Sequence, residues 1–399
     1  MHNLTGWVLL PLVAFPLLAP AAEWSIEPKI SLRAGRDDNI RLTAAAHSPV
    51  WETTLSPSAK FGVATETSGL TGDAMMAIRR YTGGTGRERG SVLNREDYHL
   101  GTTAYHNTEA DNLKATLDFT RDSTLDSELD ETGQVTDNRV TRQKLALGPS
   151  WSRLLTELTR LELSYQFNDV NYKNDPGRND QIDYRYHVAN ASLIRQLTPR
   201  VYGTLTAGYS NYQPETNFDS VTVSLQAGLT TNFTETLQAS FLAGQRKTTS
   251  DTVPSVSASG KFDSTSAIYT ASITKTLETG SLSASVSRYS YPSSLGELLD
   301  STRLALKGDH KLTETLRTSL RVEYVENETI VSRGVTVPSQ DKETFLRISP
   351  KASWRWSRTW ELEGEYRYVD NDDPVSGTAT RNSVYVTLTY KPPKTSLAR

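Results

Sequence analysis

The feature that most constrains the fold of this 399-residue chain is a two-residue alternation of apolar and polar side chains. In the stretch 221–230, valine, alanine and leucine stand at odd positions, such as Val223 and Leu225, and polar or small residues stand between them. Successive side chains of a β-strand point to opposite faces, so this period indicates strands with one apolar and one polar face. The pattern recurs along most of the chain and predicts an all-β protein.

The lengths of the segments and of their connections narrow the choice of fold. The alternation often persists for ten residues or more, whereas strands of soluble sandwiches usually have about 5–6 and a tilted membrane-spanning strand needs about 9–11. Short turns such as 277–280 alternate with longer polar loops such as 122–138, as in outer-membrane barrels. We therefore predict a single closed antiparallel transmembrane β-barrel of about 18 strands (16–18), rather than a sandwich, with short periplasmic turns and long extracellular loops.

The N-terminus predicts where the protein resides. Residues 7–18 are apolar and precede an alanine-rich segment that ends at Ala22, the pattern of a cleaved secretory signal peptide. We assign 1–22 to the signal peptide, 23–390 to the barrel and 391–399 to a short periplasmic tail. Within the barrel, 35–50 is the first outward loop. A secreted barrel indicates the outer membrane of a Gram-negative bacterium, with lipid and lipopolysaccharide around it.

Aromatic residues stand near many of the predicted strand ends. Tyrosine and tryptophan favour the headgroup level of a bilayer and form girdles at both interfaces of a barrel, although ordinary cross-strand pairing also explains single pairs. Tyr212 and Tyr291 precede long loops in the same way. The principal girdle candidates are Trp354, Trp356, Trp360, Tyr366, Tyr368, Tyr209 and Tyr390.

Charged residues occupy the polar face of the last predicted strands, which would point into the lumen. Such charges can set the ion selectivity of a pore, and they can also form cross-strand ion pairs that hold the strand register. Both interpretations stay open at this point. The pore-lining candidates are Arg303, Lys307, Arg317, Arg321, Arg347, Lys351, Arg355, Glu361, Glu363 and Glu365.

Composition argues against several other classes of function. A net charge of −3 without a basic domain gives no case for nucleic-acid binding. The chain has no cysteine, so thiol catalysis and thiolate metal sites are excluded. The six histidines lack the spacing of a metal site, and no nucleophile motif is present. We expect no enzymatic activity, no metal and no cofactor.

A resemblance is carried by three consecutive segments near the start of the barrel. These are WSIEPKISLRAG (24–35), RDDNI (36–40) and TTLSPSAKFGV (53–63). Their order resembles the β-barrel porin 2 type of outer-membrane protein and is similar to the barrels associated with exopolysaccharide and PEP-CTERM systems. Arg36 stands where those proteins have an aromatic residue. The resemblance implies an outer-membrane location and a role in polysaccharide export, and it implies no catalytic residues.

The sequence thus predicts a porin-like passive conduit. Exopolysaccharide is a candidate cargo, and the polysaccharide-export machinery is a candidate partner. The alternative is a non-conducting structural or surface-interaction barrel whose outer loops bind a partner or a glycan. The loops 122–138 and 248–262 are the candidates for a plug inside the lumen, and the oligomeric state is open.

Overall fold

A computed structural model of the chain describes residues 22–135, 139–173, 181–215, 219–251, 261–332, 342–374 and 377–398. The predicted signal peptide falls almost entirely on residues 1–21 and so lies outside the described residues. The predicted plug loop 248–262 lies partly outside them. The strands of the barrel, its short turns and residues 124–135 and 139–140 of the loop that follows the fifth strand are described.

Eighteen antiparallel strands, each paired with its neighbours in sequence, form one continuous sheet. This arrangement confirms the predicted closed barrel of about 18 strands. Its strands are β1 Glu23–Asp37, β2 Val50–Ala64, β3 Ser68–Gly83, β4 Arg95–Asn107, β5 Asp111–Ser123, β6 Thr141–Thr156, β7 Thr159–Lys173, β8 Tyr184–Thr198, β9 Val201–Pro214, β10 Ser220–Thr234, β11 Leu237–Asp251, β12 Lys261–Leu277, β13 Gly280–Pro292, β14 Glu297–Lys311, β15 Leu316–Ser332, β16 Glu343–Trp354, β17 Trp360–Asp373 and β18 Gly377–Tyr390.

The strands connect differently at the two ends of the barrel. Turns of two to five residues join them at one end, here called the turn rim, as at 235–236 between β10 and β11. Connections at the other end, the loop rim, include the long segments 38–49, 84–94 and 124–140. The first loop therefore lies within the predicted range 35–50.

The barrel closes where β1 pairs with β18, from Ile30 opposite Tyr390 to Asp37 opposite Ser383. The RDDN motif stabilises the loop-rim end of this β1–β18 seam. Asp37 is almost fully buried and accepts a 2.6 Å hydrogen bond from Nε of Arg381, and the backbone N–H of Asn382 donates to Asp38. Buried carboxylates that accept several hydrogen bonds are strongly held, so the motif has a structural role in closure.

A short final strand, β19 (Thr395–Ala398), extends the seam at the turn rim. It pairs with residues 23–26 of β1, which project beyond the end of β18. Lys391 and Lys394 form ion pairs with Glu361 and Glu27, respectively. The end of the chain therefore covers an edge of β1 that would otherwise have unpaired backbone groups.

The outer face of the barrel is apolar and exposed, and the inner face is polar. Val223 and Leu225 are 56% and 58% exposed, while Thr222 between the outward residues of β10 is buried. A soluble protein rarely exposes so continuous an apolar surface. The exterior is therefore suited to contact with lipid, which requires the absence of charge rather than shape complementarity.

Among the described residues, two short helices lie in the loops of the loop rim. They are α1 (Gly90–Leu93) and α2 (Thr124–Glu131), and a 3₁₀ turn at Gly86–Glu88 precedes α1. In the part of the chain that the structure describes, no helix has the length and apolarity to cross a membrane.

In the described part of the chain, three apolar clusters lie in the interior near the loop rim. Two of them contain side chains of α2: Leu125 packs with Val50 and Tyr81, and Leu129 packs with Val325 and Phe345. The third joins Val140, Val170, Tyr172, Tyr184, Tyr212 and Leu298. The packed core of this protein is therefore inside the barrel, at one end.

Candidate functional site: the barrel lumen

The helix α2 and the residues after it cross the lumen instead of lying over the rim. Ser127, Glu128 and Leu129 are each less than a tenth exposed. The side chains that contact α2 and Thr132 lie on strands from opposite sides of the barrel, including β4, β6, β7 and β13 to β18. The loop 122–138, one of the two predicted plug candidates, thus enters the lumen. Its residues 136–138 lie outside the described part of the chain.

One carboxylate of α2 bridges the lumen. Glu131 forms an ion pair with Arg142 at 2.9 Å and with Lys144 at 3.0 Å, both on β6. It also accepts a 2.9 Å hydrogen bond from the hydroxyl of Tyr291 on β13. Its backbone carbonyl accepts a hydrogen bond from Arg303 on β14 at 2.6 Å. Glu131 therefore ties two distant walls to the same turn of helix.

Three further polar contacts anchor the loop. Asp126 pairs with Arg95 of β4, and Asp130 pairs with Arg347 of β16. The side-chain amide of Asn327 donates to the carbonyl of Thr132 at 2.8 Å. Polar anchors combine with the two apolar clusters, so the loop is held by packing and by charge.

The carboxylates of α2 differ in their electrostatic surroundings. Burial would raise the pKa of Glu131, but the charges of Arg142 and Lys144 outweigh burial and lower this pKa to about 2. Burial likewise opposes the charge of Asp126, yet Arg95 and Arg79 hold its pKa well below the usual range. Burial dominates at Glu128 and raises the pKa of that carboxyl, despite a hydrogen bond from the Tyr172 hydroxyl.

Between α2 and the turn rim, the wall formed by β13 to β17 borders a cavity of about 860 Å³. Several predicted pore-lining residues meet there, together with Asp130 of α2. Six basic and four acidic side chains line it, so the wall has an excess of positive charge. The predicted residues among them are Arg303, Lys307, Arg321, Arg347, Lys351 and Glu365.

Most charges of this wall are paired. Glu323 lies between Arg303 at 2.6 Å and Arg347 at 2.5 Å, and Arg367 contacts Glu365 at 2.9 Å. Ion pairs that hold the register, one of the two interpretations of the sequence, are therefore present. They leave part of the positive charge uncompensated.

The other predicted pore-lining residues lie nearer the turn rim. Glu363 pairs with Lys351 at 3.0 Å, and Glu361 pairs with Lys391 of the C-terminal segment at 2.8 Å. Arg355 lies in the turn after β16, where it donates to the carbonyl of Glu314. Arg317 lies opposite Lys311 at the end of the β14–β15 pair. None of these four lines the cavity.

A second cavity, of about 570 Å³, borders β1 to β5 and has the opposite charge balance. Glu27, Asp73 and Asp118 line it, together with Lys60. His99 lies between Asp73 at 3.2 Å and Asp118 at 3.5 Å. Across the described ranges, no group of three or more histidine, aspartate or glutamate side chains is arranged to hold a metal ion.

The predicted girdle residues divide between two levels. Trp354, Trp356 and Trp360 form a chain of ring contacts at the turn rim that reaches Tyr390. Tyr209, nearer the loop end of β9, and Tyr366, at the middle of β17, are exposed on the outer face. Tyr368 shares the outer face with Tyr366 and is half-buried.

Two aromatic residues that the sequence places with the girdle point inward. Tyr212 is almost fully buried in an apolar cluster, and the hydroxyl of Tyr291 donates to Glu131. Both stand at inward-facing positions of their strands. Their distance in sequence from the loop does not reveal this direction. Tyr212 packs mainly with inward side chains of β7, β8 and β14, and Tyr291 contacts α2, so both rings belong to the interior of the barrel.

Sequence reasoning missed the apolar row that receives α2. Its inward members Val325, Phe345 and Val369 are each adjacent to an outward apolar residue, as in Tyr368-Val369. Such doublets break the two-residue alternation at the same end of three neighbouring strands. The doublets were the available signal, because a water-facing position has no reason to be apolar.

No protein-family model matches the chain, and no curated protein matches it. Among solved structures, the chain is similar to Pseudomonas aeruginosa OccK9 (OpdG), with 11% identity, a TM-score of 0.48 and coverage of 92% of this chain and 98% of that chain. It is also similar to Pseudomonas aeruginosa OpdL, with 14% identity, a TM-score of 0.44 and coverage of 92% and 99%. A third similar structure, Acinetobacter baumannii OccAB3, has 12% identity, a TM-score of 0.44 and coverage of 92% and 99%.

Proposed function

We propose that this protein is an outer-membrane channel that passes small hydrophilic solutes passively. The observation that carries this proposal is the contrast between an exposed apolar exterior and a lumen whose turn half contains charged cavities. Barrels of 16–18 strands are wide enough to leave an aqueous path. The secretory pattern of residues 1–22 supports delivery to the outer membrane.

The loop that contains α2 supports a narrow channel over a wide one. It crosses the lumen and is held there by ion pairs to β6 and β16 and by packing in two apolar clusters. A constriction lined by charged side chains selects solutes by size and charge. We therefore expect selective passage of small solutes when the loop is docked.

Passage of exopolysaccharide is a narrower form of the same proposal, supported by the N-terminal resemblance. A polymer chain would need more room than the docked loop leaves, so export would require α2 to leave the lumen. Contact with polysaccharide-export machinery at the periplasmic turn rim would then be expected. The proposal predicts that loop displacement and polymer passage occur together.

The packed loop half of the lumen favours a second candidate, a non-conducting barrel that presents its outer loops to a partner or glycan. Three apolar clusters make that end rigid, as a recognition surface requires.

Planar-bilayer recording of the purified mature barrel separates the two candidates. Stable ohmic steps with selectivity for one sign of ion are expected of the channel. A correctly folded barrel that gives no steps, but binds a glycan through its outer loops, would support the second candidate. Folding is verified independently by the change in electrophoretic mobility on heating.

A further inference from the structure

Two cations of the lumen wall face each other, and among the described residues neither has an ion-pair partner. Lys307 on β14 and Arg321 on β15 are directly opposite in the strand register. Directly opposite residues have Cβ atoms about 5 Å apart, and like charges in this arrangement repel. Within the ranges that the structure describes, neither side chain has an acidic partner within 4 Å. Both line the 860 Å³ cavity.

Three of the four acidic groups that line the cavity form ion pairs with other cations. Glu323 lies between Arg303 and Arg347, Asp130 pairs with Arg347, and Glu365 pairs with Arg367. The fourth, Asp309, accepts a hydrogen bond from the hydroxyl of Ser281. None of the four forms an ion pair with Lys307 or Arg321, and the cavity lining keeps an excess of basic groups, so an anion that enters the cavity would offset the repulsion between these two cations.

We propose that Lys307 and Arg321 form a binding site for one oxyanion group, a phosphate or a carboxylate, of a small solute. This inference rests on the proposed channel function, because it assigns a class of solute to its lumen. Both side chains donate charge-assisted hydrogen bonds, which are the strong ones for such groups. An anion between them turns a repulsive pair into two attractive contacts.

The remaining lining of the cavity fits a hydrated or hydroxylated anion. Five serines face it, Ser281, Ser283, Ser285, Ser319 and Ser349, and its described lining contains no aromatic ring. Serine hydroxyls can donate to an anion and accept from a solute hydroxyl. Without a ring to stack on an apolar ligand face, selection depends on charge.

Direct binding measurements test the site independently of conduction. The detergent-solubilised mature barrel is titrated calorimetrically, at low ionic strength, with inorganic phosphate, with succinate and with uncharged glucose. We expect phosphate or succinate to bind and glucose not to bind. The tighter of the two anions identifies the preferred group. Failure of both anions to bind the folded wild-type barrel would overturn the proposal.

The chain supplies a matched control pair. Lys311 and Arg317 are also opposite each other, four residues closer to the turn rim on the same two strands, and lie outside the cavity lining. Lys307→Gln combined with Arg321→Gln should weaken anion binding about tenfold, from the loss of charged hydrogen bonds. Lys311→Gln combined with Arg317→Gln should change it much less. Equal losses in the two double variants would show a diffuse field and contradict a site.

Bilayer recording of the same proteins distinguishes this proposal from the channel proposal. If the wild-type barrel binds the anion but does not conduct, the channel is wrong and the site stands. If it conducts and the Lys307/Arg321 variant keeps full anion affinity, the site is wrong and the channel stands. If both proposals hold, the bound anion should reduce the current of the wild type more than that of the variant.

Discussion

The two halves of the lumen are built on the same strands and have opposite character. In the loop half, inward positions carry Val325, Phe345 and Val369, which pack against α2 and are almost inaccessible. In the turn half of the same strands, inward positions carry Arg321, Ser349 and Glu365, which border an open cavity. One strand therefore faces a packed core at one end and water at the other.

The interior of this barrel is therefore not a single environment. Outward positions form one exposed apolar surface along the whole strand, so the alternation of the outer face is nearly uniform. The residue types at inward positions depend on whether a loop enters the lumen at the same level of the barrel. Where α2 enters, the wall supplies apolar surface and ion-pair partners, and where it does not, the wall keeps small polar and charged groups.

Removal of α2 should have the largest effect on conductance, because it removes the difference between the packed loop half and the open turn half of the lumen. Replacement of residues 124–135 with a short glycine-serine linker removes the chain segment that crosses the lumen. We expect the single-channel conductance to rise several-fold, because the constricted half becomes as open as the other half. Planar-bilayer recording measures this change.

The matched control replaces the turn 312–315 on the opposite rim with a glycine-serine turn of equal length. That turn lies outside the lumen contacts of α2, so the conductance should stay near the wild-type value. An unchanged conductance in the α2 replacement, with folding preserved, would show that the loop does not limit the path.

A truncation in the apolar row should produce the next largest effect. Phe345 is 1% exposed and packs in the cluster that receives Leu129. Phe345→Ala should destabilise the barrel by about 3 kcal/mol or more, because it removes buried surface and leaves a cavity. Val384→Ala, on the lipid-facing side and 54% exposed, is the control and should cost about 1 kcal/mol or less. Equilibrium unfolding in urea from lipid vesicles compares the two variants.

Much of this fold could be predicted because a membrane barrel imposes simple rules on sequence. Strand number and the outer face follow from alternation and turn spacing, and residues such as Val223 and Leu225 show them directly. The pairing of the C-terminal segment was harder to predict from the sequence. Pro392 and Pro393 indicate that β18 stops, but they do not indicate that Thr395–Ala398 returns to pair with β1. That pairing depends on how far β1 projects beyond β18, which is a property of the sheet stagger.

The lumen was only partly predictable. The position of a residue in the alternation shows whether its side chain points inward, but it does not show which side chains it contacts. The inward direction of Lys307 and Arg321 follows from alternation with Leu304 and Leu320. Their mutual position follows from the strand register, and the engagement of Glu323 by Arg303 and Arg347 follows from side-chain reach across strands. The docking of α2 involves contacts 160 to 217 residues apart in sequence, which local patterns cannot encode.

Two neighbouring carboxylates of α2 should contribute differently to the stability of the docked loop. Glu131→Gln removes the charge that pairs with Arg142 and Lys144, so it should loosen the loop by about 2–3 kcal/mol. Glu128→Gln keeps an acceptor for the Tyr172 hydroxyl and removes a buried charge, so it should change stability by about 0.5 kcal/mol or less. Urea unfolding and protease protection of the loop measure both. Equal effects would mean that charge pairing does not distinguish the two positions.

Acidification to about pH 4 should have the smallest effect on the conductance. The directions in which the pKa values of the α2 carboxyl groups are shifted explain why. Glu131 and Asp126 have lowered pKa values, so their stabilisation is complete above the unfolded value of about 4. It is lost as the pH falls towards the folded pKa of about 2 for Glu131. Glu128 has a raised pKa, so its protonation on acidification relieves the cost of a buried charge and favours docking. The conductance of the wild type, divided by that of the α2 replacement to remove titration of the wall, should stay constant from pH 7 to 5 and rise only below about 4. Opening near pH 6 would show that a group other than these carboxylates holds the loop.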